Sequence, residues 1–286
     1  MLLDSLKSLP PNHPNVRMLS GKTPFFASTF DQRFSFGLQL PHSHSFNKGP
    51  KLPLLVIIHG TRRQTGGYLN KLKEFSEQHH CAILCPLFPA GIVDPDDIHN
   101  YKNVLYKDIR FDLILLSMID QAAQIWRLRT DKFFLHGFSG GGQFAHRFFY
   151  LYPERLAGVS IGAPGRLTSP DTDQPWPAGL SDARQIFGVP KAPNFHHMAR
   201  VPVQFVVGEK DVDKSQLEIV RAPNAAEKEA GGTRVERIRW LKAALESKGV
   251  ASELTLVPGV AHDGLKCLPA LEAWLGPYVE KMRSKS

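Results

Sequence analysis

Gly137-Phe138-Ser139-Gly140-Gly141 sets a serine among glycines at the end of an apolar run, Lys132-Phe133-Phe134-Leu135-His136. A helical pattern starts directly after it, in Gln143-Phe144-Ala145-His146-Arg147-Phe148-Phe149-Tyr150. Strand, sharp turn carrying a serine, then helix is the context in which Gly-x-Ser-x-Gly acts as a nucleophile elbow. The turn holds the serine in strained backbone, so that its hydroxyl stands clear of the sheet. Flanking glycines let neighbouring backbone pass where a Cβ would clash. The helix start aims free N–H groups at negative charge that develops beside the serine. The chemistry would be attack of the Ser139 hydroxyl on an acyl carbon. The same residues can also form no more than a tight βα connection. The dinucleotide-binding turn suggested by three glycines needs G-x-G-x-x-G in the first βα unit, and both spacing and position fail here.

A serine nucleophile needs a base and an acid that orients it, which follow the elbow in the order acid, then histidine. Val201–Gly208 reads as a buried strand, and Glu209-Lys210-Asp211-Val212-Asp213 follows it. A carboxylate there lies on the same sheet edge as the elbow. Asp211 is preferred, with Asp213 as the alternative. Ser252–Val257 reads as another strand, and its following loop, Pro258–Gly264, carries His262 to that edge. Asp263 reads as a turn residue. Upstream, the buried run Leu54–Ile58 ends in His59-Gly60-Thr61-Arg62-Arg63. This loop can supply a backbone donor for a tetrahedral oxyanion, at Thr61, to complement the N–H of Gly140. His59 and His136 each stand at a strand end beside glycine, where structural hydrogen bonding is the ordinary role.

Together these residues resemble the α/β-hydrolase superfamily, from about Phe25 to the C-terminus. The resemblance rests on His59-Gly60, Gly137-Phe138-Ser139-Gly140-Gly141, Gly208-Glu209-Lys210-Asp211 and Ala261-His262. It implies Ser139 as nucleophile, Asp211 as acid and His262 as base. It also implies a mostly parallel central sheet flanked by helices. The His-Gly-Gly-Gly of lipase-type members is absent, because Thr61-Arg62 follows His59-Gly60. The Gly140-Gly141-Gly142 start and the chain length resemble small lactone- or ester-cleaving members.

The elements that must position these groups follow from periodicity. Strand-like runs alternate with helical ones, the pattern of an α/β fold with both sheet faces covered. Residues 1–20 read as irregular, and Phe25–Leu40 as an antiparallel edge hairpin. A helix is expected over Gly67–His79, a strand over Cys81–Pro86 and a long helix over Tyr106–Arg127. Leu156–Ile161 reads as a strand. Thr233–Ser247 and Leu268–Lys285 read as helices. No linker, charge block or repeat divides the 286 residues, so one domain over 1–286 is expected. The exception within it is 165–200, rich in Pro, Asp and Ser yet holding Trp176, Phe187 and Phe195. It is too long for an ordinary connection and reads as a small cap insertion over Ser139.

The formal net charge is +8. The basic residues are scattered, with neither a nucleic-acid-binding motif nor a basic block interleaved with aromatics, so no nucleic-acid partner is expected. Arg62-Arg63 stand at the expected mouth of the site, where a guanidinium would favour a substrate bearing an acidic group. A solvated pair is the plain alternative. Tyr68, Trp176 and Phe187 are candidates to line an apolar pocket. Three cysteines, Cys81, Cys85 and Cys267, form no disulfide framework and suggest reduced thiols. Neither they nor the pairs His79-His80 and His196-His197 have the spacing of a metal site, so no metal and no cofactor are expected. Met1-Leu2-Leu3-Asp4 meets a charge at once, without a signal-peptide pattern, and no apolar run approaches membrane-spanning length. A cytoplasmic protein without a membrane partner is expected, its oligomeric state open. The expected activity is that of a serine esterase, lactonase or amidase acting on a small molecule through an acyl-enzyme. An acyltransferase on the same triad and a slow-turnover ligand receptor on the same fold are the alternatives.

Overall fold

The computed structural model describes residues 9–10, 13–45, 49–218 and 224–284. Among these residues the strands are β1 (Phe26–Ala27), β2 (Ser35–Gln39), β3 (Leu52–Ile58), β4 (Ala82–Leu87), β5 (Leu105–Tyr106), β6 (Ile109–Arg110), β7 (Leu128–Phe138), β8 (Leu156–Gly162), β9 (Val203–Gly208) and β10 (Glu253–Val257). Eight of them form one sheet in the order β1-β2-β4-β3-β7-β8-β9-β10, and β5 pairs with β6 apart from it. From β4 to β10 the sheet is parallel. β2 joins β4 antiparallel, and β1 joins β2 with Phe26 opposite Phe36, which makes the expected edge hairpin.

The longer helices are α1 (Thr65–Lys71), α2 (Lys73–His79), α3 (Phe111–Ile125), α4 (Gly140–Leu151), α5 (Arg234–Glu246) and α6 (Leu268–Arg283). They cover both faces of the sheet, which is why β3 is apolar at every position rather than alternating. Successive residues of β3 serve opposite cores. Leu54, Val56 and Ile58 pack in the core that α3, α4 and α5 close, with Met118, Phe148 and Leu241. Leu55 and Ile57 pack in the core that α1, α2 and α6 close, with Leu69, Phe75 and Leu271. α5 starts at a capping box, in which Thr233 accepts from the Glu236 N–H and Glu236 accepts from the Thr233 N–H.

Two expected helices differ in extent. The one after β3 is split at Leu72 (φ −91°, ψ 9°), which leaves Leu69 and Phe75 in one core. The one expected over Tyr106–Arg127 begins only at Phe111, because Leu105 and Tyr106 pair with Arg110 and Ile109 through a turn in which Lys107 has a positive φ of 55°. Residues 1–8, 11–12 and 285, parts of two expected segments, lie outside the described residues; within the first segment Pro14–Arg17 makes one helical turn.

Residues 165–200 contain only short helical turns, at Ala183–Phe187 and Phe195–Met198. The segment is nevertheless packed, with Leu167, Leu180, Ala183, Phe187 and Met198 in the main core. It is tied to α4 through Thr168. The Thr168 N–H donates to His146 Nε2 (3.1 Å), its Oγ1 accepts from Arg147 Nε (2.8 Å), and its carbonyl accepts from the Tyr150 hydroxyl (3.0 Å). The three cysteines are buried free thiols, and burial pushes Cys81 and Cys267 up to about 12. Among the described residues no helix is long and apolar enough to cross a membrane. None of their His, Cys, Asp and Glu side chains form a group of three or more placed to hold a metal ion.

Candidate active site

β7 ends at Phe138 and α4 begins at Gly140, so Ser139 alone makes the turn, at φ 57° and ψ −113°. A positive φ costs a residue with a Cβ on the order of 1–3 kcal/mol, and surrounding contacts must impose it. The Ser139 N–H donates to the Gly162 carbonyl at the end of β8 (2.9 Å), and its carbonyl accepts from the Gln143 N–H (3.0 Å). The glycine expectation has a direct geometric reading. A Cβ at Gly141 would stand 2.1 Å from the Ile58 carbonyl oxygen, and one at Gly137 would stand 2.2 Å from that of Gly141.

The loops after β9 and β10 are knitted together by backbone. Glu209 N–H donates to the Val257 carbonyl (3.0 Å) and Lys210 N–H to that of Val260 (2.8 Å). This pairing carries Asp211 and His262 to one place. His262 Nδ1 lies 2.6 Å from Asp211 Oδ2, and its Nε2 lies 2.9 Å from Ser139 Oγ. Asp211 is 1% exposed, and Arg234 Nη1 donates to its other oxygen at 3.4 Å. With the Nδ1 proton directed at a buried carboxylate, Nε2 is left to accept a hydrogen bond from the Ser139 hydroxyl. The Phe138 ring, its centroid 5.1 Å from that of His262, backs the imidazole. Asp213 Oδ1 accepts from the Ser215 N–H (2.9 Å) and hydroxyl (2.7 Å).

Thr61 and Gly140 stand side by side, since a Cβ on Gly140 would be 3.3 Å from the Thr61 nitrogen. Gly140 opens α4, where an N–H has no acceptor within the helix. His59 and His136 are engaged elsewhere. His59 Nδ1 donates to the Gly60 carbonyl (2.8 Å) while its Nε2 accepts from the Phe88 N–H (3.0 Å), and burial pushes its pKa down to about 3. His136 Nδ1 is 3.0 Å from Ser160 Oγ, and burial lowers its pKa to about 4. Both are neutral structural groups at physiological pH.

A cavity of about 630 Å³ opens over Ser139 and His262. Thr61, Arg62, Tyr68, Phe138 and Leu265 line one part of it, and Lys102, Gln143, Arg166 and Arg234 line another. Arg62 is an exposed lining residue and Tyr68 a buried one. Arg63 does not line it. Its guanidinium folds under the loop and donates to the carbonyls of Thr61 (2.6 Å), Ile98 (2.7 Å) and Phe88 (3.1 Å), fixing the shape that presents Thr61. Trp176 and Phe187, expected in the pocket, pack edge to face on each other, with centroids 4.8 Å apart. The Trp176 indole donates to the Asn103 carbonyl (3.2 Å), so the pair braces the cavity wall from behind.

Sequence reasoning missed Lys102, Gln143, Arg166 and Arg234. They reach the cavity from a turn before β5, from α4, from the chain after β8 and from the first residue of α5. No local pattern marks such positions. Arg166 is paired with buried Glu227 (2.8 Å). Lys102 is 6% exposed, and its ammonium contacts His99 Nδ1. Burial, aided by the cations Arg63, Arg234 and Arg147, brings its pKa down to about 7.

The chain has the α/β-hydrolase fold. It is similar to poly(aspartic acid) hydrolase-1 from Sphingomonas sp. KT-1, at 20% identity and a TM-score of 0.72, over 89% of this chain and 98% of that one. It is similar to LpqC, a poly(3-hydroxybutyrate) depolymerase from Bordetella parapertussis, at 22% identity and a TM-score of 0.67, over 85% and 84% of the two chains. An S-formylglutathione hydrolase from Agrobacterium tumefaciens superposes at 16% identity with a TM-score of 0.57, over 86% and 89%. No protein-family model and no curated protein matches the sequence.

Proposed function

We propose that the protein is a serine hydrolase that cleaves an ester, lactone or amide of a small molecule through an acyl-enzyme. The observation that carries this reading is the contact of His262 Nε2 with the strained Ser139 at 2.9 Å while Nδ1 faces buried Asp211 at 2.6 Å. In this reading the Ser139 hydroxyl attacks the carbonyl carbon as His262 takes its proton. Asp211 holds the tautomer and stabilises the imidazolium, and the Thr61 and Gly140 N–H groups receive the oxyanion. Collapse expels the leaving group, protonated by His262. Water, deprotonated by the same histidine, then releases the acid and restores Ser139. That the fold neighbours are two hydrolases and a depolymerase agrees with this reading.

We also propose that residues 165–200 act as a braced rim of one domain rather than a mobile lid, a reading supported by the Thr168 and Trp176 contacts. The buried thiols suit a reducing compartment such as the cytoplasm. The test is labelling by a fluorophosphonate, together with product analysis on aryl esters. Wild type is expected to label and to turn over repeatedly, and Ser139→Ala to do neither. Labelling of Ser139→Ala would sink the mechanism. A single slow turnover would point instead to a receptor, and transfer to an added alcohol or amine in preference to water to an acyltransferase.

A further inference from the structure

The cavity walls carry four lysine and arginine side chains, Arg62, Lys102, Arg166 and Arg234, against one lining carboxylate, Asp263. Most of that charge is already committed. Arg166 pairs with Glu227 and Arg234 with Asp211. Arg62 is exposed, where water screens it. Asp263 is turned to its own loop, its Oδ1 accepting from the N–H groups of Leu265 (3.0 Å) and Lys266 (3.2 Å).

Lys102 differs from all of these. It is buried, and its ammonium contacts an imidazole, not an acid. Among the described residues it forms no ion pair. It stands against the candidate oxyanion donors: a Cβ on Gly140 would lie 2.9 Å from Lys102 Cε and 3.3 Å from the Thr61 nitrogen. Its backbone is fixed as well, because the Lys102 carbonyl accepts from Arg147 Nη1 at 2.8 Å. A buried cation without a counter-ion is costly, and a charged partner in hydrogen-bond reach repays that cost.

We propose that this cavity selects a substrate bearing a carboxylate a few bonds from the scissile carbonyl, and that Lys102 is the residue that binds it. The proposal rests on the reading of Ser139 as nucleophile. An ammonium is a compact point charge, so a single carboxylate oxygen is the fitting partner, without the bidentate geometry a guanidinium would demand. Burial and the like charge of Arg63 bring the Lys102 pKa down to about 7 against the opposing, non-contacting carboxylate of Asp97.

The test compares monoethyl succinate, glutarate and adipate with ethyl butanoate, pentanoate and hexanoate by titration of released acid. At pH 6.5 wild type is expected to prefer at least one half-ester over its neutral counterpart by tenfold or more in kcat/KM. Lys102→Met should lower that ratio at least tenfold, and Lys102→Arg should restore much of it. Fluorophosphonate labelling of Ser139 is read on every variant, as a measure of a folded, reactive site. If wild type labels yet shows no preference for any half-ester, the substrate proposal is overturned while the serine reading stands. If Lys102→Met slows charged and neutral esters equally, Lys102 serves the oxyanion or the fold, and the proposal is again overturned. Absence of labelling in wild type would overturn the reading of Ser139 itself.

Discussion

Asp211 divides its two oxygens between an imidazole and a guanidinium: Oδ2 faces His262 Nδ1 at 2.6 Å, and Oδ1 accepts from Arg234 Nη1 at 3.4 Å. The carboxylate is thereby aimed at His262. Asp211→Asn keeps the shape but presents an amide. An NH₂ group turned to His262 Nδ1 forces the proton onto Nε2, the nitrogen that must accept from Ser139. Loss of the correct tautomer costs about 10⁴ in kcat in serine enzymes of known mechanism, and a loss of that order is expected here. Steady-state kinetics on an aryl ester measures it; retention of near-full activity would move the acid elsewhere.

Arg234 acts on stability through the same carboxylate. Arg234 is 5% exposed and Asp211 1%, so Arg234→Met leaves a buried charge with one partner fewer. Removing one member of a buried pair costs about 3 kcal/mol. For a chain of this size that is a fall in Tm of roughly 6–12 °C. Arg234→Lys, which keeps a cation, should lose less than half as much. Thermal denaturation of the three proteins side by side decides the point.

Two glycines predict opposite outcomes for one substitution. At Gly141 a new Cβ meets the Ile58 carbonyl oxygen at 2.1 Å, and that oxygen belongs to a central strand that cannot yield cheaply. Gly141→Ala is therefore expected to destabilise by about 3 kcal/mol and to displace the Ser139 turn. At Gly66, within α1, a Cβ would find nothing nearer than Lys22 Nζ at 3.9 Å. Gly66→Ala should stabilise by about 0.5–1 kcal/mol, because alanine loses less freedom in a helix. Urea midpoints of both variants against wild type test the contrast.

Ser139 and Asp211 could be read from sequence because each follows a largely apolar, buried strand, while His262 follows the alternating, half-buried edge strand Glu253–Val257. A buried parallel strand declares itself by composition, and chain order then places Ser139, Asp211 and His262 on one sheet edge. The loop at Thr61 was legible for the same reason. The cavity wall was not. Lys102 lies within a single short turn, Asn100–Asn103, with no periodicity to mark it, and Arg234 is the first residue of a helix whose own pattern concerns Val235, Ile238 and Leu241. Their convergence depends on how separate elements pack, which neither spacing nor propensity encodes. Trp176 and Phe187 misled in the opposite sense. Aromatics in an irregular insertion suggested a pocket, but each found the other, and Arg110, which lies over the Phe187 ring at 4.8 Å, completed the cluster. The hairpin of β5 and β6 was hidden because its Leu105 and Ile109 fit a helical stripe as well as they fit a two-residue strand.

Stability should fall steeply with acid. His59 is pushed down to about 3 and His136 to about 4 by burial, and His146 also lies well below its ordinary value. In the unfolded chain each titrates near 6.5, so the unfolded state binds more protons once pH drops below that value. Their contribution is complete above pH 6.5 and is lost progressively toward the folded values. At pH 5 His59 and His136 each cost about 2 kcal/mol, a large share of the 5–15 kcal/mol typical of a domain. Denaturant unfolding at pH 7 and pH 5 should show the drop. His136→Asn, though less stable at pH 7, should show a shallower slope between the two.

The preference for a charged substrate should have a pH dependence of its own. Lys102 faces His99, with Asp97, Arg63, Arg147 and Arg234 as the charged groups that act on it, and its pKa stands at about 7. A lowered lysine pKa means the cation is present below that value and is lost above it. A substrate carboxylate, with an ordinary pKa near 4.5, stays ionised throughout. The ratio of kcat/KM for monoethyl glutarate to that for ethyl pentanoate removes the shared dependence on His262, because both esters use the same base. That ratio should be highest near pH 6 and should fall as pH rises through 7, by up to about tenfold per unit once the ammonium is the minor form. A ratio of kcat/KM values reports the free enzyme, so its midpoint is that of the unoccupied Lys102. Lys102→Arg should remove the dependence, because a guanidinium remains charged over the whole range. A ratio in wild type that stays level from pH 6 to pH 9 would be incompatible with Lys102 as the group that holds the carboxylate.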